Sequence, residues 1–484
     1  MALMSSCQQS QALQVQVFET SASGNQLKAI ELLNHALDTQ PIVIQPEVQF
    51  QSIEGFGGAF TEATAHLLMQ MSEEKRKLIL EAYFSEQGSN YSLTRTHINS
   101  CDFSLRNYAY AMVDKDTNLE HFSIEEDLTD LIPIVKEALE ISKEDFKILS
   151  SPWTAPPWMK DNKDWKGGKL LPEYYKTWAL YFIKYIEAYQ NQGIPIWGIT
   201  VENEPLGNDN NWESMIFSPE EMNDFVKSYL GPKLKSTGLK TKLLGYDQNR
   251  DEELKQWADA MYNDADARAY YDGIAVHWYA STYDYFPEAL QYVNSKAPEK
   301  LIIQTEACID AEMPRWKDDN WYWNKGARDW GWTWAPENKK HLHPEYVPVF
   351  RYAGDIIGCL NNQVNGWIDW NMVLDKQGGP NWAKNWCVAP VIVDTASDEV
   401  YITPLYYIMT HFSKFIRPGA VRIGFENPYP EIQFTAVKNQ NGSIVAVVFN
   451  PSDLKKELSI ALNKETVALA IGPKAIQTIV FKEQ

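Results

Sequence analysis

The stretch Ile196-Trp197-Gly198-Ile199-Thr200-Val201-Glu202-Asn203-Glu204-Pro205 passes from apolar to acidic within a few residues. Its first part, Ile196–Val201, has the length and β-branched content of a buried strand, and Pro205 closes the segment because proline cannot continue a ladder. A helix-period stretch precedes it at Glu173–Gln190, and another comes after it at Pro219–Leu230. The second is introduced by Ser218 as cap, Pro219 at the first helical position and two acids, Glu220 and Glu221, in the first turn. Helix, strand, helix is the repeating unit of a parallel sheet covered by helices.

The same alternation extends in both directions, from about residue 51 to residue 375. It predicts strands at Ile53–Phe56, Leu93–Ile98, Phe146–Leu149, Ile196–Val201, Lys242–Tyr246, Gly273–Trp278, Leu301–Thr305 and Gly366–Trp370, with further helical patterns such as Leu128–Ile141. Gly57 and Gly58 are not followed by Lys-Ser/Thr, so no phosphate loop is present. Eight units without such a loop indicate an α/β fold of the closed (β/α)8 barrel type, not a doubly wound sheet. From Tyr407 onward the pattern changes to short alternating runs, Ile432–Val437, Ile444–Phe449, Leu458–Leu462 and Ala475–Phe481, split by Asn441-Gly442 and Asn450-Pro451. Leu13–Thr20 and Pro41–Gln49 alternate in the same way, so both chain ends are expected to build one side β-sandwich with the barrel inserted between them. The expected division is a tail at 1–12, N-terminal strands at 13–50, the barrel at 51–404 and the C-terminal β-sandwich at 405–484.

With 44 Lys and Arg against 64 Asp and Glu, the 484-residue chain carries a net charge of −20. That field repels phosphate backbones and anionic lipid heads, which excludes nucleic acid as a partner. The 18 Trp and 25 Tyr suit sugars, whose C–H faces stack on rings while their hydroxyls bond the polar tips. The five cysteines, Cys7, Cys101, Cys308, Cys359 and Cys387, are scattered without a CxxC pair, which indicates neither a disulfide framework nor a zinc site. No run reaches the ~20 apolar residues of a membrane helix. Leu3-Met4-Ser5-Ser6-Cys7 is similar to the end of a bacterial lipoprotein signal, or is simply a polar tail. The expected location is secreted, periplasmic or at the cell surface, with Cys7 the lipidation candidate.

Barrel enzymes carry their chemistry at the carboxyl ends of the strands. Two predicted strands finish in glutamate: the fourth at Glu204, the seventh at Glu306 within Ile302-Ile303-Gln304-Thr305-Glu306-Ala307. Carboxyls facing each other across the mouth at about 5–5.5 Å are what a retaining glycosidase requires. Asn203, beside Glu204, can bond a sugar 2-hydroxyl, which marks strand four as the acid/base side and leaves Glu306 as nucleophile. The nucleophile must stay ionised while its partner holds a proton. His277 is read as a hydrogen-bonded barrel histidine, Cys101 and Cys308 as packing behind the site, and no metal or cofactor is expected.

Eight collinear segments resemble glycoside hydrolase family 30, a clan A family that includes lysosomal glucosylceramidase and microbial endo-β-1,6-glucanases. They are Gly55–Glu62 (GFGGAFTE), Ser100–Ser104 (SCDFS), Ser151–Pro156 (SPWTAP), Glu202–Pro205 (ENEP), Thr305–Cys308 (TEAC), Gly366–Asn371 (GWIDWN), Gly378–Trp382 (GGPNW) and His411–Phe415 (HFSKF). The resemblance implies Glu204 as acid/base and Glu306 as nucleophile. It also implies Asp102 and Trp153 in the glucose subsite, Arg95 beside the nucleophile, Tyr279 bonding it, and Trp370 and Asn385 around the sugar. The chain departs from the pattern in a tryptophan-rich insert from Trp316 to Trp334, continuing to His341 and His343, which is expected to overhang the pocket and set specificity. The implied substrate is a β-glucoside, open between glucosylceramide, a β-1,6-glucan and short β-glucosides or xylosides. A carbohydrate-binding protein that kept a dead barrel is the alternative from another class.

Overall fold

The computed structural model describes residues 13–281, 284–310 and 347–483. Eight parallel strands close into a barrel in simple consecutive order: Gly55–Phe60, Leu93–Ile98, Lys147–Pro152, Gly198–Thr200, Lys242–Asn249, Gly273–His277, Leu301–Glu306 and Gly366–Asn371. The first strand starts later than the sequence suggests, because Ile53 is already engaged elsewhere: its N–H donates to the Ala420 carbonyl and its carbonyl accepts from Gly419. The third runs on past Leu149 into Ser150, Ser151 and Pro152, which lack the apolar signature of a strand but find buried polar partners, Tyr185 on the covering helix for Ser150 and Arg95 inside the barrel for Ser151. The helix expected at Pro219–Leu230 continues through a π turn at Val226–Leu230 to Thr237, ending at the left-handed Gly238. The helix expected at Leu128–Ile141 begins only at Leu131, after a 3₁₀ turn at Glu125–Leu128.

An apolar layer fills the barrel, built from Leu93, Leu149, Leu244, Ala275, Ile303 and Ile368. Strand side chains alternate with a period of two, so the residues two positions on face the same interior. In the second, third, sixth, seventh and eighth strands those residues are Arg95, Ser151, His277, Thr305 and Trp370, all buried. The lower layer is therefore greasy and the next one polar and aromatic. The change falls where the strands open toward their carboxyl ends.

Both chain ends meet in a second sheet of nine strands. Leu13–Ser21 lies antiparallel to Ala475–Glu483 along its whole length, from Leu13 opposite Glu483 to Ser21 opposite Ala475. Ile42–Ser52 joins the far side of the same sheet between Val421–Glu426 and Lys456–Leu462. The sequence pattern misses Val421–Glu426, which is interrupted by Gly424, and Glu465–Ile471, which returns through the left-handed Asn463. The sheet's own core contains Ile44, Phe434, Val448, Ile460 and Ile479. It is bonded to the barrel through the helix Pro404–Ser413, where buried His411 bonds Thr478 at 2.8 Å, and through Asn361, which donates to the Phe434 carbonyl.

Among the described glycines, Gly57 has the least room against backbone, since a Cβ there would meet the Leu93 carbonyl oxygen at 2.0 Å. That carbonyl belongs to the neighbouring strand and cannot rotate away. Gly57→Ala is expected to destabilise the protein by roughly 2–3 kcal/mol or more, read as a lowered urea midpoint; an unchanged midpoint would show that the first and second strands are not held this close.

Candidate active site

At the carboxyl end of the barrel lies a cavity of about 450 Å³ lined in part by Asp102, Trp153, Glu204, Tyr279, Glu306 and Trp370. A larger groove, about 650 Å³, opens near the strand starts around Thr241 and Asp272, lined by Lys227, Lys235, Lys300 and Asp266 and by none of the strand-end glutamates. The first cavity is therefore the site.

Irregular strand ends aim its groups. Glu204 adopts a left-handed backbone conformation (φ 50°), rare for a residue with a side chain and characteristic of functional positions. Its N–H is tied to the Asp247 carbonyl at 2.9 Å, while Asn203 is tied to the Pro152 carbonyl at 2.7 Å. On the fifth strand Tyr246 and Asp247 are both left-handed and the register shifts between Tyr246 and Gln248. The shift lets Asp247 join the interior, where it bonds Thr305 from the seventh strand. A similar shift between Gln304 and Glu306 precedes the second glutamate.

The glutamates, drawn from the fourth and seventh strands, come together: one oxygen of each, with a ring nitrogen of His277, lie within 4.8 Å of one another. Glu306 accepts from Arg95 Nη1 at 2.5 Å and from the Tyr279 hydroxyl at 2.9 Å. Arg95 is fully buried and spends its remaining donors on Ser151 (3.2 Å), Asn203 Oδ1 (2.9 Å) and Asp247 (2.7 Å). Its guanidinium also sits over the Trp153 and Trp370 rings, at 5.0 and 5.4 Å from their centroids. Those two rings stack at 5.2 Å with 20° between planes. Asp102 Oδ2 accepts from Asn385 Nδ2 at 3.0 Å, whereas its Oδ1 has no hydrogen-bond partner among the described residues. A buried, unpaired oxygen beside a sugar-sized cavity is suited to a ligand hydroxyl.

Charge is distributed unevenly. Burial alone would raise Asp247, but Arg95, His277 and Thr305 outweigh it and hold the carboxyl well below the usual range. Burial lowers His277, yet Glu306, Asp247 and Glu204 more than reverse this and bring it to about 9. Burial raises Glu306, as does the Glu204 charge, while His277, Arg95 and Tyr279 act in the opposite sense; the net direction is upward. An ionised Glu306 is the expectation from the sequence, where the cost of burying it is not visible. Asp102 is also raised, first by burial and then by the charges of Glu306, Glu213 and Glu204, despite its bond to Asn385.

All ten site residues named from the sequence, Arg95, Asp102, Trp153, Asn203, Glu204, His277, Tyr279, Glu306, Trp370 and Asn385, are among the described residues and bond, stack on or line this one cavity. Cys308 joins the cavity wall with Cys387, and Cys101 packs with both. The Trp316–Trp334 insert, His341, His343 and Cys7 lie outside the described residues. Sequence reasoning missed Asp247, although it follows a predicted strand as Glu204 and Glu306 do. It also missed Glu213, whose buried carboxylate accepts from Ser100, Asn107 and Trp382 and so ties three loops of the rim together.

A consecutive eight-stranded barrel with two glutamates meeting at its mouth, flanked by stacked tryptophans, defines a glycoside hydrolase. The model of the glycosyl hydrolase family 30 TIM-barrel domain matches residues 53–330 and 341–416, and that of the family 30 beta sandwich domain matches residues 419–479. The chain belongs to glycosyl hydrolase family 30. It is 35% identical over 430 residues to the lysosomal acid glucosylceramidase of Mus musculus, covering 87% of this chain and 79% of the relative. It is 34% identical over 488 residues to putative glucosylceramidase 3 of Caenorhabditis elegans, covering 97% and 88%. Among solved structures, an endo-β-1,6-glucanase superposes with a TM-score of 0.81 at 30% identity, covering 96% of this chain and 99% of that one. No helix among the described residues is long and apolar enough to cross a membrane.

His277 couples the site to the stability of the fold. Its folded value, about 9, exceeds the ordinary 6.5, so its contribution is complete below about pH 6.5 and is lost as the pH rises to about 9, on the order of 3 kcal/mol in all. Glu306 and Asp102, also raised, act with the same sign. Unfolding free energy measured in urea should therefore fall across this window, and less steeply in His277→Gln. Equal slopes in both proteins would mean that the ring is neutral.

Proposed function

We propose that the protein hydrolyses β-D-glucosides with retention, Glu306 being the nucleophile and Glu204 the acid/base. The observation that carries this reading is the approach of the two carboxyls to within 4.8 Å. Nearest oxygens this close favour the about 5–5.5 Å carboxyl separation of a double displacement over the about 6.5–9.5 Å that an inverting enzyme needs to admit water.

The donor count supports the division of roles. Glu306 receives Arg95 and Tyr279, whereas Glu204 has His277 Nδ1 at 3.4 Å, an ion-pair contact without hydrogen-bond geometry. A single negative charge shared by the pair is favoured on Glu306, which attacks the anomeric carbon while Glu204 protonates the departing oxygen. Once Glu306 is esterified its charge is gone, and Glu204, now ionised, takes a proton from the water that releases the sugar. Asn203 bonds the 2-hydroxyl, Asp102 and Asn385 bond outer hydroxyls, and Trp153 and Trp370 wall the ring.

The rest of this cavity favours one aglycone class. Asn208, Asp209, Asn211, Trp212, Gln248 and Asn249 line it, and ceramide tails would leave those polar groups unpaired while sugar hydroxyls would bond them. This supports the second reading, an endo-β-1,6-glucanase, alongside glucosylceramidase-like action, and relatives of both kinds are similar to this chain. Polymeric or lipid-borne glycosides as substrates also agree with a location outside the cytosol.

A 2-deoxy-2-fluoro-β-glucoside with a good leaving group should label Glu306, and a label on another residue refutes the assignment. Glu306→Gln should lower kcat at least about 10⁴-fold. Glu204→Gln should lose about 10²–10⁴-fold on poor leaving groups yet recover turnover on an aryl glucoside when azide is added. Product chromatography separates the substrates: glucan oligosaccharides from β-1,6-glucan support the polar-aglycone reading, whereas release of glucose and ceramide from glucosylceramide with the glucan untouched overturns it.

A further inference from the structure

Two cysteines that lie far apart in sequence meet in the cavity wall. The Sγ atoms of Cys308 and Cys387 are 3.0 Å apart, and both residues are buried. Their backbones are linked as well: Ile309–Asp310 pairs antiparallel with Cys387–Val388, Ile309 opposite Val388 and Asp310 opposite Cys387. The Cys308 carbonyl accepts from Trp278 Nε1 at 3.2 Å, and the Cys387 N–H donates to the Gly378 carbonyl at 3.2 Å. Backbone contacts on both sides therefore hold the two sulfurs face to face. Closing to the ~2.0 Å of a disulfide needs a movement of only about 1 Å.

We propose that Cys308 and Cys387 are a disulfide-forming pair that joins the strand end carrying Glu306 to the loop carrying Asn385. Cys308 stands two residues after Glu306, and its Sγ lies 3.5 Å from the Tyr279 hydroxyl that bonds Glu306. Cys387 stands two residues after Asn385, whose amide holds Asp102. A covalent link at this point fastens the two walls of the cavity to each other. Cys101, in the same apolar cluster, has Ser104 Oγ at 3.9 Å from its sulfur and serves as the internal comparison.

The oxidant is a small-molecule disulfide such as oxidised glutathione, approaching from the cavity that both cysteines line. One cysteine thiolate attacks it, forming a mixed disulfide and releasing one glutathione; the second thiolate then attacks the protein-side sulfur and releases the other. Each cysteine thiol gives up its proton to a leaving glutathione. The two cysteines are oxidised and one glutathione disulfide is reduced to two thiols.

The full-length protein is incubated with oxidised glutathione, alkylated after denaturation, and digested without reduction for peptide mapping by mass spectrometry. The expected product is a Cys308 peptide crosslinked to a Cys387 peptide, formed equally in Cys101→Ser and absent from Cys387→Ser. The linked form should melt about 3 °C or more above the reduced one, reversibly with dithiothreitol. It should also show a several-fold lower KM for an aryl β-glucoside at unchanged kcat, because the loop is preorganised. Glutathione left on separate cysteines, a Cys101 crosslink, or unreacted Cys308 and Cys387 would overturn the proposal. The crosslink is read without any assay of turnover, so its failure is distinct from failure of the glycosidase reading, on which only the KM arm rests.

Discussion

The buried ion pair between Arg95 and Asp247 is the constraint on which the rest of the barrel mouth depends. Both side chains are wholly removed from water, at 2.7 Å from each other. Desolvating two such charges costs several kcal/mol each, and their attraction offsets this only when the remaining donors and acceptors are also satisfied. Here they are. Asp247 takes bonds from Thr200, Thr305 and His277 as well as Arg95. Arg95 reaches Ser151, Asn203 and Glu306 in addition. Strands from around the barrel and the turn after the fourth are thereby referred to one fixed point.

That point also sets the electrostatics of the two glutamates. Arg95 keeps its charge under all conditions of interest, so it places a permanent cation against Glu306. His277 bridges the arrangement, with Nε2 on Asp247 at 3.1 Å and Nδ1 near Glu204. A carboxyl pair in one small cavity cannot be symmetric in such surroundings, and the asymmetry is built from residues that need not touch a substrate. The left-handed turn at Glu204 belongs to the same construction. Its N–H is spent on the Asp247 carbonyl, so the strained backbone is held by the residue that anchors the charges.

Around this rigid centre the rim is assembled from distant pieces. Glu213 ties the loops bearing Ser100, Asn107 and Trp382, and Asp102 is linked to Asn385 across 283 residues of sequence. The nine-stranded sheet contributes indirectly. By pairing Leu13–Ser21 with Ala475–Glu483 and packing under the helix Pro404–Ser413, it fixes both ends of the chain that forms the barrel.

The alternation of strands and helices was legible in the residues alone, because period-two and period-3.6 patterns are local and each strand must bury its own apolar face. So was the pairing of Glu204 with Glu306, since both end strands of one barrel, and the collinear motifs added the rim residues. Strand limits were less legible. Ser150 and Ser151 read as loop until Tyr185 and Arg95 supply partners, and Ile53 reads as barrel until Gly419 and Ala420 claim its backbone. What only the tertiary structure decided were quantities fixed by contacts between distant strands. These are the separation of the carboxyls, the inward turn of Asp247 at its bulge, the upward shift of His277 and Glu306, and the meeting of Cys308 with Cys387. Composition and spacing carry the period of an element but not the register between elements, and electrostatics at a few ångströms depends on the register.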